Sequence, residues 1–355
     1  MDTVASDISP AEEPVTDYIT EIDVRCELFT KFRAIAQQFE PNSWRDHANA
    51  TMLAMFMVAP VHQLQIFVGS CETTFQQGYS MLLAINTAGP LAIRAFVPKG
   101  RPNASRFDTP LLAPPSQTLG TSAEEKRDRD AEVAQLVKAR DGHRCVFSGL
   151  TDPCSAHIFP HATSQTRDFQ NLNPLLLHLW GEEQGKVWAQ QYQLLTETEA
   201  TQNGISMNHQ IHHWFDNAKF ALKPLKPLGQ DNNSIVVQWH WLKPTIFKPK
   251  DRTCRYDSTA TILERAGLTD KNWGTCLAHR ESGIPIRNGQ IFTIRAENPE
   301  DLPSWDLLEL SWNLLRVAAI CGAADVPDDY YDESDDDDEE WPEHAVIAAI
   351  TARQA

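Results

Sequence analysis

The chain has 355 residues, 42% of them hydrophobic and 22% charged, which supports a folded interior large enough for two or three modest domains. Its longest apolar run, MLAMFMVAPV at 52–61, is about half of what a spanning helix requires and contains Pro60, which argues against a membrane-spanning segment. The net charge of −17 sits mainly at the two ends: removing the seven acids of residues 1–24 and the twelve of DVPDDYYDESDDDDEEWPE leaves 29 acids against 31 Lys and Arg, so the middle neither supports nor excludes contact with a phosphate backbone.

In chain order, residues 1–24 are rich in acids and proline and are expected to lack fixed structure. They also lack the basic-then-apolar order of a secretory signal, and seven scattered cysteines fit a reducing environment, so the expected location is intracellular, without distinction between nucleus and cytoplasm. Residues 25–108 read as a small α/β or α+β domain of unreadable role, with a helix at CELFTKFRAIAQQF and strands at LQIFVGS and PLAIRAFVP. The Pro-, Ser- and Thr-rich stretch 109–121 is a linker.

A central module follows at 122–228. Ser122 and Glu125 have capping-box spacing for an entry helix that ends at Asp141-Gly142, and Cys145 to Phe147 opens as a strand. SAHIFPH supplies another strand, and LLLHLWGEEQGKVWAQQYQLLTE reads as one or two inserted helices. FALKPL and SIVVQWHWL read as strands, the second belonging to a C-terminal α+β extension at 229–323 with a helix at LLELSWNLLRVAAICG. An acidic run at 324–343 and a short terminal helix at 344–355 complete the chain, giving an α+β class overall.

The chemistry concentrates in QNGISMNHQIHHWFD at 202–216. His212 and Asp216 are four apart and share one helix face, so together they can grip a divalent ion, while Ile211, Trp214 and Phe215 face the core. Asn208 is a good N-cap, and Asn203-Gly204 fits a tight turn before it. His157, on the preceding strand, can pack against the same helix, where a neutral imidazole takes a proton from water.

On RDGHRC at 140–145, AHIFPH at 156–161, Asn203-Gly204 and IHHWFD at 211–216, the chain resembles the HNH endonucleases, in the variant with an AHI strand and an H-x-x-x-D helix common in fungal proteins. The resemblance covers roughly 136–225 and implies a ββα-metal fold, with a β-hairpin and a helix clamping one ion. It implies His157 as general base, Asn203 as the residue that orients the base, and His212 and Asp216 as metal ligands, with His161 and His213 as auxiliary candidates. It further implies hydrolysis of phosphodiester bonds in nucleic acid, DNA before RNA, with Mg²⁺ ahead of Mn²⁺ or Zn²⁺.

Two departures qualify it. Many relatives carry an Asp or His ligand before the general base, where this chain has Ala156, which leaves an ion with fewer protein ligands and more waters, as Mg²⁺ prefers. Zinc-stapled relatives carry four cysteines at the positions of Cys145, Ser148, Asn208 and Ile211, so no structural zinc is expected. A silent HNH fold acting as a nucleic-acid-binding or protein-interaction module is the alternative, and a purely structural zinc site on the histidines and Asp216 a third. Cys145 with Cys154 and His157, or Cys276 with His279, are weaker zinc candidates, and QWHWLKP is read as a half-buried strand before a base-stacking surface.

Overall fold

The computed structural model describes residues 18–39, 48–97, 131–160, 173–197, 200–225, 232–243, 245–253, 258–265 and 277–325. The capping box at Ser122, the linker at 109–121, His161, Cys276, the acidic run beyond 325 and the terminal helix lie outside those residues.

The N-terminal part is helical: α1 (Ile22–Phe39), α2 (Ala50–Val58), α3 (Val61–Thr73) and α4 (Phe75–Phe96). The strands expected there are therefore corrected to helices, and the α/β character with them. LQIFVGS belongs to α3, whose buried residues Leu64, Phe67, Val68 and Cys71 follow a helical period too long to show in seven residues. PLAIRAFVP runs from within α4, where Pro90 sits inside the helix and disguised it as a boundary. All nine residues of α2 are buried, which places this helix at the centre of the core, and Asn49 caps it by accepting a hydrogen bond from the Met52 N–H at 2.9 Å.

The entry helix α5 (131–140) ends in a left-handed turn at Gly142 and His143, with φ of 64° and 54°. Strands β1 (Cys154–His157) and β2 (Gly204–Met207) pair antiparallel, with Cys154 opposite Met207 and His157 opposite Gly204. Two inserted helices, α6 (Asn173–Trp180) and α7 (Glu182–Glu197), lie between them in sequence. Residues 146–148 form a turn, so 145–147 are not the expected strand, although the Val146 N–H still bonds to the Ser206 carbonyl at 3.0 Å.

After β2 comes α8 (His209–Asp216), then the antiparallel sheet β3 (Phe220–Leu225), β4 (Ser234–Trp241) and β5 (Ile291–Arg295), with α9 (Thr259–Arg265) between β4 and β5. The long helix α10 (Trp305–Cys321) is capped by Ser304 and stopped by Gly322 at φ 75°. It packs on both α2 and β3, so one hydrophobic cluster runs from the N-terminal helices through the sheet. Trp239 and Trp241 are buried: Trp239 stacks on Phe220 at 3.6 Å, and Trp241 meets Trp214 of α8 at 5.7 Å. The QWHWLKP tryptophans therefore form the wall behind α8, as a strand residue's alternation allows, and are not free to stack on bases.

Candidate active site

The RDG turn braces the hairpin. Arg140 and Asp141 form a two-point pair, with Nε to Oδ1 at 2.7 Å and Nη2 to Oδ2 at 2.9 Å, and both side chains are almost wholly buried. Arg140 also donates to the carbonyls of Thr201, Gly204 and Asp301, while the Asp141 carboxylate accepts from the Ser206 N–H at 2.8 Å. All five guanidinium N–H groups that this burial strips of water thus find acceptors.

Cys145, Ser148, Asn208 and Ile211 are joined by hydrogen bonds. The Ser148 N–H meets the Cys145 sulfur at 3.4 Å, the Ser148 hydroxyl accepts from the Asn208 amide at 2.9 Å, and Asn208 Oδ1 caps the Ile211 N–H at 2.9 Å. This relay ties the turn before β1 to the start of α8 and confirms Asn208 as the N-cap.

Asn203 is fully buried and ends a short 3-10 turn, so the expected tight Asn-Gly turn is corrected: Gly204 has an extended φ of −121° and begins β2. Glycine is required there by space, because a Cβ would meet Val137 Cγ2 at 2.6 Å. The Asn203 amide donates to the Phe159 carbonyl and accepts from the Phe159 N–H, both at 2.9 Å, and its own carbonyl accepts from the Ile158 N–H at 2.8 Å. The two residues after His157 are therefore pinned to the strand opposite.

His157 ends β1 with an exposed side chain, and the alternation of the strand sends Ala156 into the core at 0% exposure. Position 156 therefore offers nothing to an ion. On α8, His212 Nε2 lies 3.4 Å from Asp216 Oδ2, and His212 Nδ1 lies 3.2 Å from the Cys154 sulfur. Burial pushes the His212 imidazole down to about 4, helped by His157, His209 and His213. Burial pushes the Asp216 carboxyl up to about 6, against the opposing pull of His157 and His213. The Cys154 contact seats the His212/Asp216 pair of α8 against β1, the strand that His157 ends.

Two donors roughly 3–3.5 Å apart suit adjacent positions around one divalent ion, whose bonds to nitrogen and oxygen are ~2.0–2.2 Å. The His212 and Asp216 side chains keep 28% and 40% of their surface exposed, which leaves room for water on the remaining positions. Among the described residues no third His, Cys, Asp or Glu joins them. His213 is exposed, with its Nδ1 3.4 Å from the Asn217 amide. The roles that the spacing left unread belong to Arg140, Asp141 and Cys154, whose partners are distant in sequence.

An antiparallel hairpin is followed here by a helix whose i, i+4 His/Asp pair faces it, a ββα arrangement. The HNH endonuclease family model matches residues 145–223, so the chain carries an HNH domain, a nuclease-type module whose family acts on nucleic acid with a divalent ion. No curated protein and no solved structure matches the chain. No helix among the described residues is long and apolar enough to cross a membrane.

Proposed function

We propose that the HNH domain hydrolyses phosphodiester bonds in DNA, with His157 as general base and His212 and Asp216 as the ligands of one divalent ion, Mg²⁺ before Mn²⁺ or Zn²⁺. The observation that supports this reading is the His212/Asp216 pair, 3.4 Å apart, seated against β1, the strand that the exposed His157 ends. A general base must reach water and the phosphate, and an end-of-strand imidazole does so. Asn203 acts on it through the backbone, since fixing Ile158 and Phe159 fixes the direction in which His157 leaves the strand. The His157 imidazole takes a proton from water as its oxygen bonds to phosphorus, and the opposite P–O bond breaks with its electron pair passing to the leaving oxygen, which takes a proton from solvent. A divalent ion on His212 and Asp216 supplies the positive charge that such a centre needs on its phosphate oxygens.

Burial of Ala156 and, among the described residues, a protein ligand set of two favour a second reading, an HNH fold retained for binding without cleavage. Nicking of supercoiled plasmid with Mg²⁺, Mn²⁺ or EDTA separates the two. Metal-dependent nicking that disappears in both His157→Ala and His212→Ala supports catalysis. A folded wild type that binds DNA and never nicks it with any metal supports the silent module.

A further inference from the structure

We infer that Cys154 is a positioning residue that fixes the tautomer of His212, keeping the proton on Nδ1 so that Nε2 presents a bare lone pair beside Asp216. The inference rests on the reading of His212 as an ion ligand and adds a residue to it that the family match does not assign.

One sulfur makes two contacts. Cys154 Sγ lies 3.2 Å from the Met207 carbonyl oxygen and 3.2 Å from His212 Nδ1. A thiol carries a single proton, and a carbonyl has none to give. With the S–H directed at the Met207 carbonyl, the sulfur is free to accept an N–H from His212, and both contacts are hydrogen bonds. With the S–H directed at Nδ1, a sulfur lone pair would face a carbonyl lone pair in a half-buried site, which is repulsive. The first arrangement satisfies two groups and the second only one.

The other side of the ring points the same way. If the proton sat on Nε2, its acceptor would be Asp216 Oδ2 at 3.4 Å, beyond the ~2.7–3.2 Å of an N–H···O bond. The Nδ1 proton has an acceptor in the protein, and an Nε2 proton would have only water. The resulting chain, imidazole N–H to sulfur and S–H to backbone carbonyl, anchors the ring to the β1–β2 hairpin, because Cys154 and Met207 are direct partners across it. Metal-binding histidines generally need such an outer partner on the second nitrogen, usually a carboxylate or a carbonyl; here a thiol relays the bond to the carbonyl.

Nitrogen NMR of the full chain labelled at histidine, without metal, reads the tautomer directly, with the His212 signals assigned by their loss in His212→Asn. Mn²⁺ titration followed by electron paramagnetic resonance reads affinity. The expected wild-type spectrum has the His212 proton on Nδ1. In Cys154→Ala the tautomers mix and Mn²⁺ affinity falls about 10–100-fold, while Cys154→Ser, which keeps a short acceptor and donor, recovers part of both. A purely packing role for Cys154 would lower the unfolding midpoint and leave the tautomer unmoved, which overturns the inference, as does a wild-type proton on Nε2. Failure of the wild type to bind Mn²⁺ with the Nδ1 proton in place removes the ion-ligand reading and leaves the tautomer lock standing.

Discussion

The Asn203 side chain and the Phe159 backbone exchange two hydrogen bonds of 2.9 Å, one in each direction, inside a region with no access to water. This is a peptide-like pairing made by a side chain, and it closes the end of the hairpin that β1 and β2 leave open. Replacing Asn203 with Ala strands a buried N–H and a buried C=O, at an expected cost of about 2–4 kcal/mol. Asn203→Asp keeps the acceptor but sets a second oxygen against the Phe159 carbonyl, so it should not rescue. Urea unfolding of the three proteins checks this; equal stability for Asn203→Ala would mean that the loop finds other partners.

The buried Arg140–Asp141 pair and the exposed His157 predict opposite signatures. Asp141→Ala leaves a guanidinium buried with its charge unpaired and a Ser206 N–H without an acceptor, which should cost about 3–5 kcal/mol. His157→Ala removes an exposed ring and should stay within about 0.5 kcal/mol of wild type. Unfolding midpoints measured beside plasmid nicking then separate the two: both variants lose cleavage, but only the first loses stability.

The fold legible in the sequence was the part written in local signals. The strands at FALKPL and SIVVQWHWL, the α10 helix, the inserted pair α6 and α7 and the Asn208 cap each carry their period or cap within a dozen residues. The i, i+4 spacing also foretold that His212 and Asp216 would meet. The helix at CELFTKFRAIAQQF was legible as α1, whereas LQIFVGS and PLAIRAFVP were misread as strands because each is a short apolar run, the first covering only part of α3 and the second opening on Pro90 inside α4. The Arg140 brace and the Cys154 contact were not readable at all: their partners lie from 53 to 161 residues away, and only the hairpin brings them together.

The shifts at His212 and Asp216 have opposite signs, and so do their effects on stability. A histidine lowered to about 4 binds its proton less well folded than unfolded, so its contribution to stability rises as pH climbs from about 4 toward the ordinary histidine value of 6.5. A carboxyl raised to about 6 binds its proton better folded than unfolded, so its contribution falls as pH climbs from its ordinary 3.8 to about 6. Neither group is among the causes of the other's shift, burial being the leading cause of each, so the single variants should expose the separate trends. Between pH 4 and 6, Asp216→Asn should gain stability with rising pH and His212→Asn should lose it, with the wild type flatter than either. Thermal unfolding across that range without metal is the measurement; parallel slopes in both variants would contradict the burial assigned to the pair.

The acidic run leaves the described fold beside α8. Lys219, three residues beyond Asp216, pairs with Asp325 at 2.8 Å, and residues 326–343 that follow carry eleven acids and no Lys or Arg. Eleven negative charges tethered from that point repel a phosphate backbone approaching His157, and the repulsion should weaken as salt shortens the Debye length from ~10 Å at 0.1 M to ~3 Å at 1 M. A chain truncated after Asp325 should therefore bind duplex DNA more tightly than the full chain at low salt, by roughly tenfold or more, and approach it at high salt. Fluorescence anisotropy of a labelled duplex at several salt concentrations gives the comparison. A gain that persists unchanged at high salt would point to a steric effect of the removed residues, and no gain at low salt would mean that their charge does not act on the face that binds DNA.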